Sequence, residues 1–185
     1  MKSVFALLVA IWQFQIAQCS FDAAVAVWNT EVIPTAVYPC KDVDPISYSE
    51  MELKDDGNEK WLEFLFQAED PLDKTIYAKL TIDQWKNGDW EENIYNNDGN
   101  FCEMRDKFYS KAWTKLTEAA QPKTDPKECN IPTGTYVGKK FQLQAEDLDI
   151  PSMLFGTFRV RNELYTEDNE LYLCTVIELE SNRKE

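Results

Sequence analysis

The chain predicts a mainly β protein, two antiparallel sheets packed as a sandwich with one central amphipathic helix. Three observations lead there. About eight short segments alternate apolar and polar residues with period two and follow one another at hairpin spacing. One stretch near the middle instead repeats its apolar residues at helical spacing, so the strand–helix–strand alternation that builds a parallel sheet is missing. No internal repeat or low-complexity linker divides the chain, which leaves a single domain.

The elements follow in order. Residues 1–19, MKSVFALLVAIWQFQIAQC, have a basic Lys2, an apolar run from Val4 to Trp12 and a polar exit, and read as a signal peptide. The run is far shorter than the ~20 residues of a membrane span, and no second candidate follows. Ala17 and Cys19 have the small-residue spacing of a cleavage site, so the expected mature domain is 20–185 and the protein is expected to be secreted. FDAAVAVWN opens a strand with Phe21, Ala23, Val25 and Val27 on one face. Pro34, Pro39 and Pro45 are expected to break the next stretch and hold Cys40 in extended or turn backbone. ISYSEMELK and WLEFLFQAED form a hairpin through DDGNEK, because Asp-Gly tolerates the positive dihedrals such turns require. WLEFLFQAED puts Leu62, Phe64, Phe66 and Ala68 on one side. TIYAKLTIDQW is the cleanest alternation, with Ile76, Ala78, Leu80 and Ile82 against Tyr77, Lys79, Thr81 and Asp83.

WEENIY is a shorter strand and NNDGN a turn. The helix follows, capped by Asp98 or Asn100, with Phe101, Arg105, Phe108, Ala112 and Leu116 at helical spacing and Pro122 stopping it. Beyond a polar loop the strands resume: TYVGKKFQLQAED, LFGTFRVRNELY and ELYLCTVIELE. In the last, Leu171, Leu173, Ile177 and Leu179 share one face and Tyr172, Cys174 and Val176 the other.

Composition removes whole classes of function. The formal charge is −14, with no basic run, phosphate loop or dinucleotide fingerprint, so nucleic acid and anionic membranes are not expected partners. There is no histidine, the commonest general base and metal ligand at neutral pH. Glu63, Asp83, Glu91, Glu92, Glu146 and Asp147 read as solvent-face or turn carboxylates rather than a glycosidase pair. NNDGN and EDNE lack the length and trailing Glu of an EF-hand. No enzyme activity, catalytic residue, cofactor or metal is expected. Without Cys19 four cysteines remain, Cys40, Cys102, Cys129 and Cys174, an even set that implies two disulfides in an oxidising compartment, with three pairings open.

At the helix a further pattern enters. NFCEMRDKFYSKAWTK, then Cys129, the strand entry PTGTYVG, a late Pro151, the Phe-Gly of MLFGTFRV and a last strand carrying Cys174 together resemble the insect CheB family of secreted chemosensory proteins. That family is similar to the ganglioside activator protein and, more loosely, to ML-type lipid-recognition domains. The resemblance covers residues 99–180; the N-terminal half agrees only in strand order and the placement of Cys40. It implies that 20–185 is a lipid-recognition-like, immunoglobulin-like two-sheet cup for a hydrophobic ligand, with roles in gustatory or pheromone sensing. It also implies disulfides tying the first cysteine to the last and flanking the helix, Cys40–Cys174 and Cys102–Cys129. The ganglioside activator has more cysteines than these four, so its loop geometry does not transfer.

A cup needs apolar side chains that line a space. The expected ligand-binding residues are Phe64, Phe66, Ile76, Leu80, Phe158, Val160, Leu173 and Ile177 from strands, with Phe108 and Trp113 from the helix, which acts as wall or lid. The same residue types would equally fill a packed core. Trp85, Trp90, Tyr95 and Phe155 fall near turns, where they ring a mouth or close hairpin ends. The expected function is a secreted binding protein for a lipid, pheromone or cuticular hydrocarbon, acting with a sensory receptor or channel. The alternative is a secreted module whose surface modulates a receptor, channel or enzyme without holding a ligand.

Overall fold

Turn chemistry sets the strand ladder. β3 (Tyr48–Asp55) and β4 (Lys60–Ala68) are joined through Gly57 at φ 87°, whose N–H donates to Asp55 Oδ1 at 2.8 Å. β5 (Tyr77–Lys86) turns into β6 (Asp89–Asn100) through Asn87 and Gly88, at φ 53° and 88°, the paired positive dihedrals of a tight hairpin. The structure, a computed structural model, describes residues 25–26, 30–57, 59–148 and 152–184. The expected leader lies outside these residues, as does the strand expected over 21–29 except for β1 (Val25–Ala26), which pairs with β9 (Ser152–Met153).

Two antiparallel sheets carry the fold. One has the order β2-β11-β10-β5-β6, the other β3-β4-β8-β7. β2 is Thr30–Pro39, β7 Ala120–Gln121, β8 Gly134–Phe141, β10 Gly156–Tyr165 and β11 Leu171–Arg183. The expected mainly β sandwich is therefore what forms.

Three local expectations are corrected. β2 runs unbroken through Pro34 to Pro39, because it is an edge strand paired only with β11, where a missing N–H leaves no ladder partner unsatisfied; the register shifts opposite Pro34. NNDGN is not a turn but the end of β6, held in register by pairs such as Leu80 with Asn97 and Ala78 with Gly99. The single helix is two, α1 (Phe101–Phe108) and α2 (Ser110–Ala119), separated at Tyr109 with φ −152°. The buried stripe changes phase there: Phe101 and Met104 face inward from α1, Trp113 and Thr117 from α2, about 170° apart on a straight helix, and the break lets both face one core. Asn100 caps α1, its Oδ1 accepting from the N–H groups of Cys102 and Glu103 at 3.0 and 3.3 Å.

Both disulfides pair as the resemblance implies. Cys40–Cys174 ties the end of β2 to β11 across 134 residues, and Cys102–Cys129 ties α1 to the loop before β8 across 27. Among the described residues no helix is long and apolar enough to cross a membrane.

Candidate functional site

Register fixes which side chains face the space between the sheets. From the five-stranded sheet these are Ala78, Leu80 and Ile82 of β5, Phe158, Val160 and Leu164 of β10, and Leu173, Ile177 and Leu179 of β11; Val160 stands opposite Ile82 and Ile177, Leu164 opposite Ala78 and Leu173, Phe158 opposite Leu179, and Leu80 opposite Asn162. From the other sheet come Met51 and Leu53 of β3, Leu62, Phe64 and Phe66 of β4, and Tyr136 and Phe141 of β8. Phe64 has an unusual seat. Its ring lies over Gly138, in the space a Cβ at that position would take, so the glycine lets an aromatic ring lie flat on the sheet.

The interior is divided rather than continuous. At the helical end Ile76, Ala78, Phe101, Met104, Trp113, Tyr136, Leu164 and Tyr172 form one buried cluster. At the other end Val32, Ala145, Phe158 and Leu179 form a second. The inner-face residues Phe64, Phe66, Leu80, Ile82, Val160, Leu173 and Ile177 keep part of their surface in contact with solvent, although β10, β11 and β4 are interior strands of their sheets; Phe66, Leu80 and Leu173 pack against the first cluster and Ile82 and Val160 against the second. Ile177 belongs to neither cluster.

Of the residues expected to bind ligand, Ile76, Trp113 and Phe158 are packed into the clusters at 2%, 7% and 6% exposure. Trp113 meets Phe101 edge to face at 5.5 Å, under the guanidinium of Arg105. Phe108 is half-buried at the end of α1 and packs on the helical cluster. The other six are half-buried: Phe66, Leu80 and Leu173 pack against the helical cluster, Val160 against the second, and Phe64 and Ile177 against neither.

A second set of residues joins Phe64 and Phe66 with six that were not in the sequence expectation. α2 packs against the four-stranded sheet and leaves a cleft of about 40 Å³, lined by Phe64, Phe66, Leu116, Thr117, Ala120, Thr124, Ile131 and Tyr136. Leu116 was visible at the end of the helical stripe; Ala120 opens β7, and Thr124 and Ile131 sit in the segment between β7 and β8, whose path has no periodic signal. Thr117 donates its proton to the carbonyls of Trp113 and Thr114, at 3.0 and 2.9 Å, and Tyr136 donates to Pro132 O at 2.8 Å. Thr124 Oγ1 is buried and has no partner on the protein.

The charged groups near this interior are already committed. Arg105, 5% exposed, donates to Asp106 from Nε and to the Glu128 carbonyl from NH1 at 2.8 and 2.9 Å. Burial pushes the Tyr109 phenol up to about 12, against the opposing pull of Arg105, so it stays neutral. Two carboxylates expected on solvent faces are buried instead. Asp83 accepts from Arg159 Nε at 2.8 Å and from the Asn93 N–H at 2.9 Å, which anchors a bulge in β6. Asp147 accepts from Lys115 at 2.7 Å and from the Gln144 N–H at 2.9 Å. Asp147 belongs to a 3₁₀ turn (Ala145–Asp147) in a strap between β8 and β9, and that strap inserts Ala145, 1% exposed, among Val32, Phe158 and Leu179.

Fold and site together define a two-sheet β-sandwich whose apolar inner face is in part only half-buried. No family model matches this chain, and no curated protein matches it. Among solved structures, chicken MD-1 complexed with lipid IVa is similar at 12% identity and a TM-score of 0.37, over 82% of this chain and 90% of that one.

Proposed function

We propose that this protein is secreted and holds a small hydrophobic molecule, a lipid, pheromone or cuticular hydrocarbon, between its sheets, in a chemosensory setting that ends at a sensory receptor or channel. The observation that carries the reading is the half-buried inner face: six of the expected lining residues, Phe64, Phe66, Leu80, Val160, Leu173 and Ile177, stay partly exposed, and two of them, Phe64 and Ile177, join neither packed cluster. An interior that paid for its apolar surface by packing alone would bury them. An apolar molecule laid along that stretch removes the surface from water at about 25 cal/mol per Å². The α1–α2 pair and the Ala145 strap are then the walls at either end. The sensing role rests on the cysteine-opened helix and the C-terminal strand pattern that resemble the insect family.

Native mass spectrometry of protein secreted from insect cells, with solvent extraction, tests this. A lipid-sized adduct released on denaturation and depleted in Ile177→Ala is the expected result. A clean apo mass, with no uptake from hydrocarbons or fatty acids, would overturn it and favour the surface-interaction module. The exposed Tyr48, Tyr77, Trp85 and Tyr95 would then be the first residues to test.

A further inference from the structure

The cleft between α2 and the four-stranded sheet has a chemistry of its own. Phe64, Phe66, Leu116, Ala120 and Ile131 make its lining apolar, and no lysine, arginine, aspartate or glutamate lines it. Three hydroxyl-bearing residues, Thr117, Thr124 and Tyr136, line it. Thr117 and Tyr136 have spent their protons on backbone carbonyls, which leaves Thr124 Oγ1, buried and unpartnered. Trp113 Nε1 and Ser181 Oγ also lack partners, but neither residue lines this cleft. A buried hydroxyl without a partner costs free energy that a ligand atom can recover.

We propose that this cleft seats the polar end of the ligand, and that this end is an uncharged hydrogen-bonding group, an alcohol or an ester or ketone carbonyl, held by Thr124. The inference rests on the ligand-binding reading above and narrows it. A volume of about 40 Å³ admits a head of a few heavy atoms but not a chain. The chain continues along Phe64 and Phe66, which belong both to the cleft and to the half-buried inner face. A carboxylate is excluded by the absence of any counter-charge in the lining and by a formal charge of −14 on the whole protein. A plain alkane fits the apolar wall but leaves Thr124 unpaired.

The test is displacement of a bound fluorescent naphthylamine by four probes of equal chain length, hexadecanol, methyl palmitate, palmitate and hexadecane, on the secreted chain. Hexadecanol and the methyl ester should bind at least about tenfold tighter than palmitate at neutral pH, with palmitate gaining as the pH falls through its own carboxyl range. Thr124→Val should weaken hexadecanol roughly 3- to 10-fold and leave hexadecane unchanged, and Thr124→Ser should restore hexadecanol. Palmitate binding as tightly as hexadecanol at neutral pH would overturn the proposal. So would a Thr124→Val variant that weakens all four probes alike or none. If the dye and all four probes fail to bind, the ligand-binding reading itself falls.

Discussion

Ile177 and Leu179 stand two residues apart on one face of β11, and truncating each to alanine removes the same number of carbons. Leu179 is 6% exposed and packed with Val32 and Phe158, whereas Ile177 is half-buried and lies in neither cluster. In a packed site such a truncation loses the transfer free energy and leaves a cavity, about 2–5 kcal/mol in all. For Leu179→Ala about 3 kcal/mol is therefore expected. At Ile177 part of the side chain already meets solvent and no closed cavity results, so the expected cost is about 1 kcal/mol. The 2 kcal/mol gap corresponds to roughly 4–8 °C in Tm for a chain of this size. Urea midpoints and thermal melts of the two variants, without ligand, measure it. The second readout is binding: Ile177→Ala should weaken hexadecane about fivefold to tenfold, because it removes contact area from the ligand rather than from the core. Equal destabilisation by the two substitutions, with hexadecane binding unchanged in Ile177→Ala, would refute the reasoning and return Ile177 to ordinary core.

Three more outcomes follow from the geometry. Gly138→Ala puts a Cβ into the Phe64 ring and should cost about 1–3 kcal/mol by chemical denaturation, most of it recovered when Phe64→Ala is added. Removing Cys102–Cys129 by a double serine substitution should cost about 3.5 kcal/mol for its 27-residue separation, read from the urea midpoint of the non-reduced protein. The Tyr109 phenol is raised from 10.0 to about 12 in the fold, so its contribution is fully present below about pH 10 and lost as the pH climbs through the folded value. Stability should fall over that window by up to about 3 kcal/mol on this account, and Tyr109→Phe should flatten the alkaline slope without abolishing it, since burial also raises Tyr136 and Tyr172.

Strand faces were legible because period two is a local property: Ala78, Leu80 and Ile82 share a face in the sequence and in the sheet. The Asp-Gly turn and the Asn100 cap were legible for the same reason. Where neighbours decide, the sequence misled. Pro34 breaks a strand only if its missing N–H has a ladder partner, and nothing local says that β2 lies at an edge. Asp83 and Asp147 read as solvated because the cations that hold them, Arg159 and Lys115, are 76 and 32 residues away. The aromatic set between the sheets could be enumerated, but its division into two clusters and the half-buried residues around them depends on the separation of the sheets, which no single segment encodes. Thr124 was invisible because its significance is an unpaired oxygen, which only the packing around it reveals.

Beyond its half-buried inner face, the described structure carries a set of cross-links at its periphery. Outside the five-stranded sheet, Arg159 pairs with Asp83 and covers the Trp90 ring at 4.6 Å, Arg161 joins Glu163 and Asp42, and Tyr38 donates to Glu178 at 2.8 Å, cross-linking β2, β5, β10 and β11 on the solvent side. The strap that carries Ala145 into the far cluster is itself held by Lys115 to Asp147 and Lys184 to Glu146, both at 2.7 Å. Each exposed pair contributes little alone, but the disulfides constrain the unfolded chain whatever the interior does. On the ligand-binding reading proposed above, stability drawn from covalent ties and outer-face contacts leaves the inner face free to be selected for what it holds. At the helical end α1 and α2 pack into the buried cluster and leave the small cleft that Thr124 lines.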